Sequence, residues 1–368
     1  MLKYLEGIEF QMKIFLPISL LFFVLSSCSS TNVTASPTTE TVLTPTPNLH
    51  PTTSPIEPIV TSQPPIIGGQ WHYMFYYEPL QKLILVNGGP ERGKSSSDPL
   101  ELWSWDGAQW SLLGADTNGP TWRNFAGAAY DTKRNVLIIH GGGQGRALRF
   151  HETWEWDGQT WALRAEGDAT PKAIDGVMAY DEAHDQTILF GGGDGNTITN
   201  ETWSWNGNQW TLLTTEGPAS RFAGEMVYDP VSKQILMYGG HYATQSDFQL
   251  FSDFWSWNGK SWVEIQMGTP NPGLRVVTEM VFDPESDRLL MFGGAVDTFL
   301  TDLWAWDETQ WVSLQTNEKP ARSGASVAYD PNGNVFIFFG GVDKPGGRAL
   351  SDTWELNGDT WTCIDGCS

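Results

Sequence analysis

The sequence predicts an all-β repeat architecture, a propeller or array, built from six four-stranded units, and three observations carry that prediction. An acid, one residue, Trp-x-Trp, a turn dipeptide and a further Trp recur six times, the first indole falling at Trp103, Trp154, Trp203, Trp255, Trp304 and Trp354. The spacings of 51, 49, 52, 49 and 50 residues lie where internal repeats build propellers or arrays. Each unit also carries two hairpin signals. In the fourth, Met226-Val227-Tyr228 leads through Asp229-Pro230 into Gln234 to Tyr238, and Trp255-Ser256-Trp257 leads through Asn258-Gly259 into Trp262.

Residues 1–28 read as a signal peptide: Met12 and Lys13 form a basic start, Ile14 to Leu25 an apolar core and Leu25-Ser26-Ser27-Cys28 a processing site. The run is short for a mature transmembrane helix. Glu6 and Glu9 are ill suited to the start of a signal, which points to Met12 as the start codon. The tetrapeptide resembles a bacterial lipobox, which implies a lipid on Cys28 and an extracytoplasmic, membrane-anchored protein. Residues 29–65 are rich in Thr, Ser and Pro and contain no aromatic residue, so they are expected to form a disordered linker or stalk.

From residue 66 to 368 the six units follow one grammar. Seventeen of the nineteen tryptophans belong to the repeated motif, so aromatic richness reflects scaffold. The Asp-Gly or Asn-Gly dipeptide in five units predicts a two-residue turn that sets Trp103 opposite Trp110, with a longer turn at Asp307-Glu308 in the fifth. Cys363 and Cys367 stand close together near the C-terminus and are expected to pair in an exported chain.

The diglycine ending each second strand (Gly239-Gly240), the aromatic-acid pair at the first turn (Tyr228-Asp229), the Arg opening the first strand (Arg221) and the closing Trp together resemble kelch repeats, across about residues 66 to 363. The resemblance implies a six-bladed β-propeller, four antiparallel strands per blade, around a channel.

A residue type present in every copy serves packing, so function is sought where copies differ. The acids two places before the first Trp (Glu101, Glu152, Glu201, Asp253, Asp302 and Asp352) recur throughout and are assigned to ion pairs with Arg123, Arg221, Arg275 and Arg322. Three residues before the aromatic of the aromatic-acid pair, the units carry Met74, Gly127, Val177, Glu225, Glu279 and Ser326. Glu225 and Glu279, in adjacent units near the axis, are the candidate catalytic acid and base. The loops after the diglycines also differ, and supply candidate ligand-binding residues: Arg146, Arg149, His151, Asp194, Asn196, His241, Tyr242, Asp297, Phe299, Lys344 and Arg348. Such a mixture of charges, amides and aromatics suits a carbohydrate or a protein surface.

A formal charge of −22, with 43 acids against 21 bases, excludes nucleic acid as a sensible partner. Kelch propellers include copper radical oxidases, whose Cys–Tyr cofactor has no cysteine to form it within these repeats. No metal-ligand spacing of histidines appears, so no metal or cofactor is expected. The chain is expected to be a monomeric, lipid-anchored binding module acting through its loop face. The alternative is a carbohydrate-active enzyme, a sugar epimerase or lyase, using the axial carboxylates.

Overall fold

A computed structural model describes residues 72–87, 95–114, 116–144, 148–195, 197–244, 246–317, 321–344, 347 and 349–367. The signal, the linker and Cys28 lie outside the described residues, as do Arg146, Asn196 and Arg348.

The chain forms a six-bladed β-propeller in which each blade takes four antiparallel strands in chain order. The innermost strands are Tyr73–Tyr77, Asn124–Asp131, Val177–Asp181, Glu225–Asp229, Glu279–Asp283 and Ser326–Asp330. Each lies beside the innermost strands of the two neighbouring blades, and Tyr73–Tyr77 meets Ser326–Asp330 to close the ring. Two blades carry additions on the same end: Leu148–Arg149 pairs with the second strand of blade two, and His241–Ala243 pairs with Phe248–Leu250 in blade four.

Between adjacent blades lie six apolar clusters, each fed by both sheets. Alternate residues of an inner strand serve alternate neighbours. In blade four, Met226 packs toward blade three and Val227 toward blade five.

The indole hairpins differ from the sequence expectation in register. Trp105, not Trp103, stands opposite Trp110, and Trp205, Trp257 and Trp306 likewise face Trp210, Trp262 and Trp311. Ring centroids in these four pairs are 5.3, 5.5, 5.5 and 5.7 Å apart. The turn is centred one residue later than expected. Asp106 does not adopt positive φ; its Oδ1 accepts the N–H groups of Ala108 and Gln109, while Gly107 alone takes φ 94°. Blade five builds the same turn, with Glu308 at φ 69° in the glycine position, so it is no longer than the others.

Every one of the six repeated acids accepts the indole N–H of the Trp two residues on, at 2.6 to 3.2 Å. In four blades the same acid pairs with the Arg at the blade entrance: Arg123–Glu152 at 3.0 Å, Arg221–Asp253 at 2.7 Å, Arg275–Asp302 at 2.8 Å, and Arg322–Asp352. Arg123, Arg221 and Arg275 also donate to the carbonyl of the first diglycine residue of their own blade. The second glycine donates its N–H to the next blade's entrance residue, as Gly192 does to Arg221 O at 3.0 Å and Gly294 to Arg322 O at 3.2 Å. A Cβ on Gly239 would sit 2.7 Å from Arg275 O, at φ 66°, so glycine is required by backbone approach and by conformation together.

The closing Trp of three blades reaches back to the preceding blade: Trp110 Nε1 donates to Thr353, Trp210 to Thr153 and Trp262 to Thr202, at 2.7 to 2.9 Å. Phe254 and Leu303 occupy the threonine position facing Trp311 and Trp361, whose indole N–H groups are buried without a partner. Thr202→Val should therefore orphan Trp262 Nε1 and cost about 1–3 kcal/mol, read as a lower urea midpoint with unchanged m-value.

Candidate site at the channel mouth

In four of the five entrance segments the chain reaches the innermost strand through a strained residue. Phe125 (φ 60°), Asp175 (φ 60°), Ala223 (φ 48°) and Val277 (φ 52°) take the left-handed region, where blade six places Gly324 at φ 67°. A bulky or β-branched side chain there is strained, and the surrounding hydrogen bonds must hold it. Asp175 N–H donates to Phe125 O at 2.8 Å, and Ala223 N–H to Asp175 O at 3.4 Å, linking three blades around the mouth.

Two residues later, at the first residue of the inner strand in blades three to six and inside it in blade two, register defines one rung. Glu225 pairs with Tyr238, Glu279 with Phe292, Ser326 with Phe339, Val177 with Phe190, Gly127 with His140, and Tyr73 with Val86. The blade-one residue on this rung is Tyr73, not Met74. Tyr76-Tyr77, rather than Tyr77-Glu78, is the equivalent of Tyr228-Asp229, since Gln81 and Lys233 hold matching positive-φ positions four residues on. All six rung residues lie at the end of the propeller that carries the diglycines and the variable loops.

Glu225 and Glu279 are half-buried, and among the described residues neither pairs with an Arg or Lys. Arg221 and Arg275, which enter beside them, are 1% exposed and spent on Asp253 and Asp302. Burial lifts the Glu225 carboxyl to about 8, countered in part by the Met280 backbone N–H from the next blade. Glu279 is raised well above the usual carboxylate range by burial and by the charge of Glu225. Asp175, also without a countercharge, is pushed up to about 7 by burial. Tyr73 is raised by burial and then by Asp175, Glu225 and Glu279, so these four groups share one electrostatic neighbourhood. Its hydroxyl donates to Ala126 O. A carboxyl raised in this way can donate a proton as well as accept one.

The candidate loop residues occupy the rim around this mouth in varied states. His241 exchanges backbone hydrogen bonds with Phe222 at 2.7 and 2.9 Å, and its ring lies between Phe222 and Phe248. Burial lowers its pKa to about 4, so it is neutral at physiological pH, with Nδ1 unpartnered. Tyr242 is in the same two-stranded ribbon. Arg149 lies over Gly195 in the next blade's loop, with Asp194 as the nearby charge, while Asp194 also accepts from Thr197 N–H and Oγ1. These two residues lock one loop to another. The His151 carbonyl accepts the Thr170 hydroxyl at 2.8 Å, Phe299 bridges to Ala295 beside Asp297, and Lys344 is exposed.

A crevice of about 480 Å³, including its part open to solvent, runs outward from Glu279 between blades five and six, past Asp302 and Arg322 to Trp354 and Trp361. Among the described residues no three His, Cys, Asp or Glu side chains are grouped to hold a metal ion. A disulfide joins Cys363 to Cys367 at the end of the outermost strand of blade six, with Cα atoms 6.1 Å apart. Asp175 and Tyr73 join the site although sequence comparison within the chain had not singled them out. Aligning the second residue after each entrance position (Arg123, Ala173, Arg221, Arg275 and Arg322) gives Phe125, Asp175, Ala223, Val277 and Gly324, among which Asp175 is the lone acid.

Because the folded pKa values of Glu225 and Asp175 stand above ordinary carboxylate values near 4, the folded state holds protons that the unfolded state releases. Their contribution is most favourable below about pH 4 and is lost progressively as pH rises to about 8. Glu225→Gln and Glu279→Gln should leave the melting temperature near the parent value at about pH 5 and raise it by about 2–4 °C at about pH 9, measured by calorimetry. The chain matches no protein-family model and no curated protein.

Proposed function

We propose that this chain is a kelch-type propeller that binds a carbohydrate or protein through its loop face, with the channel mouth at the centre of the recognised surface. A lipid on Cys28 holds it at the membrane on the extracytoplasmic side, as a monomer. The observation that carries this reading is the group of carboxyls at Asp175, Glu225 and Glu279, half-buried and with no basic partner among the described residues, at the end of the propeller that carries the variable loops. A scaffold stitched by repeated Arg–acid–indole contacts has no need of these groups. Unspent polar capacity inside a protein is costly unless something uses it.

Acid/base chemistry on a sugar is the second reading, favoured by the raised carboxyls of Glu225 and Glu279. The two readings separate in one experiment. A glycan and envelope-protein binding screen of the full-length chain should yield a ligand whose affinity falls at least about tenfold in His241→Ala or Arg149→Ala, a loss of about 1.4 kcal/mol. Turnover of a bound sugar that disappears in Glu225→Gln, with binding retained, would instead establish the enzyme. Cys28→Ser should move the protein from the membrane to the soluble fraction and abolish incorporation of labelled fatty acid. Retention of both would remove the anchor.

A further inference from the structure

We propose that the crevice between blades five and six is a subsite for a neutral pyranose, taking the sugar's hydroxymethyl arm inside and stacking the ring on Trp354. The inference deepens the loop-face reading and rests on it. The crevice lies at the loop-face end, beside Gly293-Gly294 and Glu279, and its enclosed part measures about 30 Å³. That is room for about two water-sized groups, as in a hydroxymethyl arm, with the rest of a ligand in the open part.

Arg322, one wall of the crevice, clamps its blade less completely than its counterparts do. Arg221 and Arg275 reach both oxygens of Asp253 and Asp302, donate to the first diglycine carbonyl, and have side chains 1% exposed. Arg322 reaches only Oδ2 of Asp352, whose Oδ1 is left buried without a partner. Its other bond goes to Ala321 O and not to Gly340 O, and its side chain is 16% exposed. The guanidinium and the Gly340 carbonyl, both on the crevice wall, therefore keep hydrogen-bonding capacity.

Trp361, another wall, is 6% exposed and its indole N–H has no acceptor. Leu303 stands where Thr353, Thr153 and Thr202 receive the same N–H from Trp110, Trp210 and Trp262. A buried donor without a partner is costly unless something else satisfies it. Trp354 has its own N–H committed to Asp352 at 2.7 Å, while its half-buried ring lines the crevice.

This set asks for a group that both donates and accepts. Arg322 and Trp361 only donate, the Gly340 carbonyl only accepts, and Glu279 accepts when ionised. A hydroxyl serves both kinds. A carboxylate would bring no donor and would meet Glu279, and an ammonium would bring no acceptor and would meet Arg322. Phe292, Leu300, Phe338 and the Trp354 ring supply apolar wall for the C–H face of a sugar.

The test is calorimetric titration of the full-length protein at about pH 7 with the methyl β-glycosides of glucose, galactose and mannose. Methyl β-xyloside, which lacks the arm, and glucuronate and 6-amino-6-deoxyglucose, which carry a charge on it, are the comparisons. At least one hexoside should bind with a Kd of about 1–10 mM, and each comparison compound at least about fivefold more weakly. Trp354→Ala should weaken hexoside binding by about tenfold. Leu303→Thr, which gives Trp361 an internal acceptor, should weaken it by about threefold while the melting temperature holds or rises. Leu303→Thr carries the test if Trp354→Ala fails to fold. No hexoside binding at about 50 mM by the folded parent, equal binding of the xyloside, or affinity unchanged in the folded variants would overturn the subsite. A glycan or protein ligand lost in His241→Ala but held equally by parent, Trp354→Ala and Leu303→Thr would leave the loop-face reading standing and remove the subsite. Hexoside binding that falls in both crevice variants, with no macromolecule bound, would keep the subsite and remove the wider recognition surface.

Discussion

The ring depends on backbone meeting backbone between blades, at the diglycines that follow the second strand pairing in blades two to five. The carbonyl of the next blade's entrance residue lies where a Cβ would be, 2.7 Å away at Gly191 and at Gly239. That approach lets the second glycine donate across the blade boundary, and it holds the entrance segment in place. The entrance Arg is then fixed from both sides, by a glycine carbonyl and by the acid that also receives an indole N–H. Charge-assisted hydrogen bonds made by a buried guanidinium leave little freedom at the point where the chain turns toward the axis.

This rigidity explains where the strain sits. Residues such as Ala223 and Val277 hold left-handed backbone two places after the anchored Arg, before the inner strand begins. A segment clamped at one end by the Arg and at the other by strand pairing can bear a conformation costing about 1–3 kcal/mol. The outcome is a mouth whose rung residues are set by the scaffold and are free to differ in chemistry. Glu225 and Glu279 can therefore be carboxyls in a position where Val177 and Gly127 serve packing equally well.

Similar logic governs the departures inside the scaffold. Glu155, 2% exposed, replaces the small residue between the two motif tryptophans of blade two. Arg134 and Arg164 of its own blade and Trp205 of the next blade all donate to it, so that boundary carries a buried polar knot beside its apolar cluster. At the boundary between blades six and one, His72 Nε2–H donates to Phe339 O at 3.1 Å and the ring is held neutral by burial, with its pKa lowered to about 4. A closing seam carrying a neutral imidazole keeps the ring free of an unpaired charge.

Six repeats of a Trp-x-Trp hairpin near fifty residues apart determine the strand count, the blade count and the repeated acid, because local periodicity and turn chemistry suffice for them. They also reveal Glu225 and Glu279, since an acid among apolar equivalents is visible within one chain. The dipeptide alone does not fix the turn register, because an Asx side chain can cap a turn as readily as its backbone can enter the left-handed region. In blade one Tyr76, Tyr77 and Glu78 offer two overlapping aromatic pairs, and only the pairing of Tyr77 with Lys82 decides between them. What only the tertiary structure decided is which groups share the axis. Tyr73 and Asp175 are separated from the two glutamates by whole blades in sequence, and a closed ring alone brings them into one electrostatic field. That no Arg among the described residues pairs with the two glutamates was equally illegible, because every entrance Arg looks available until the fold commits it to an acid on its own blade.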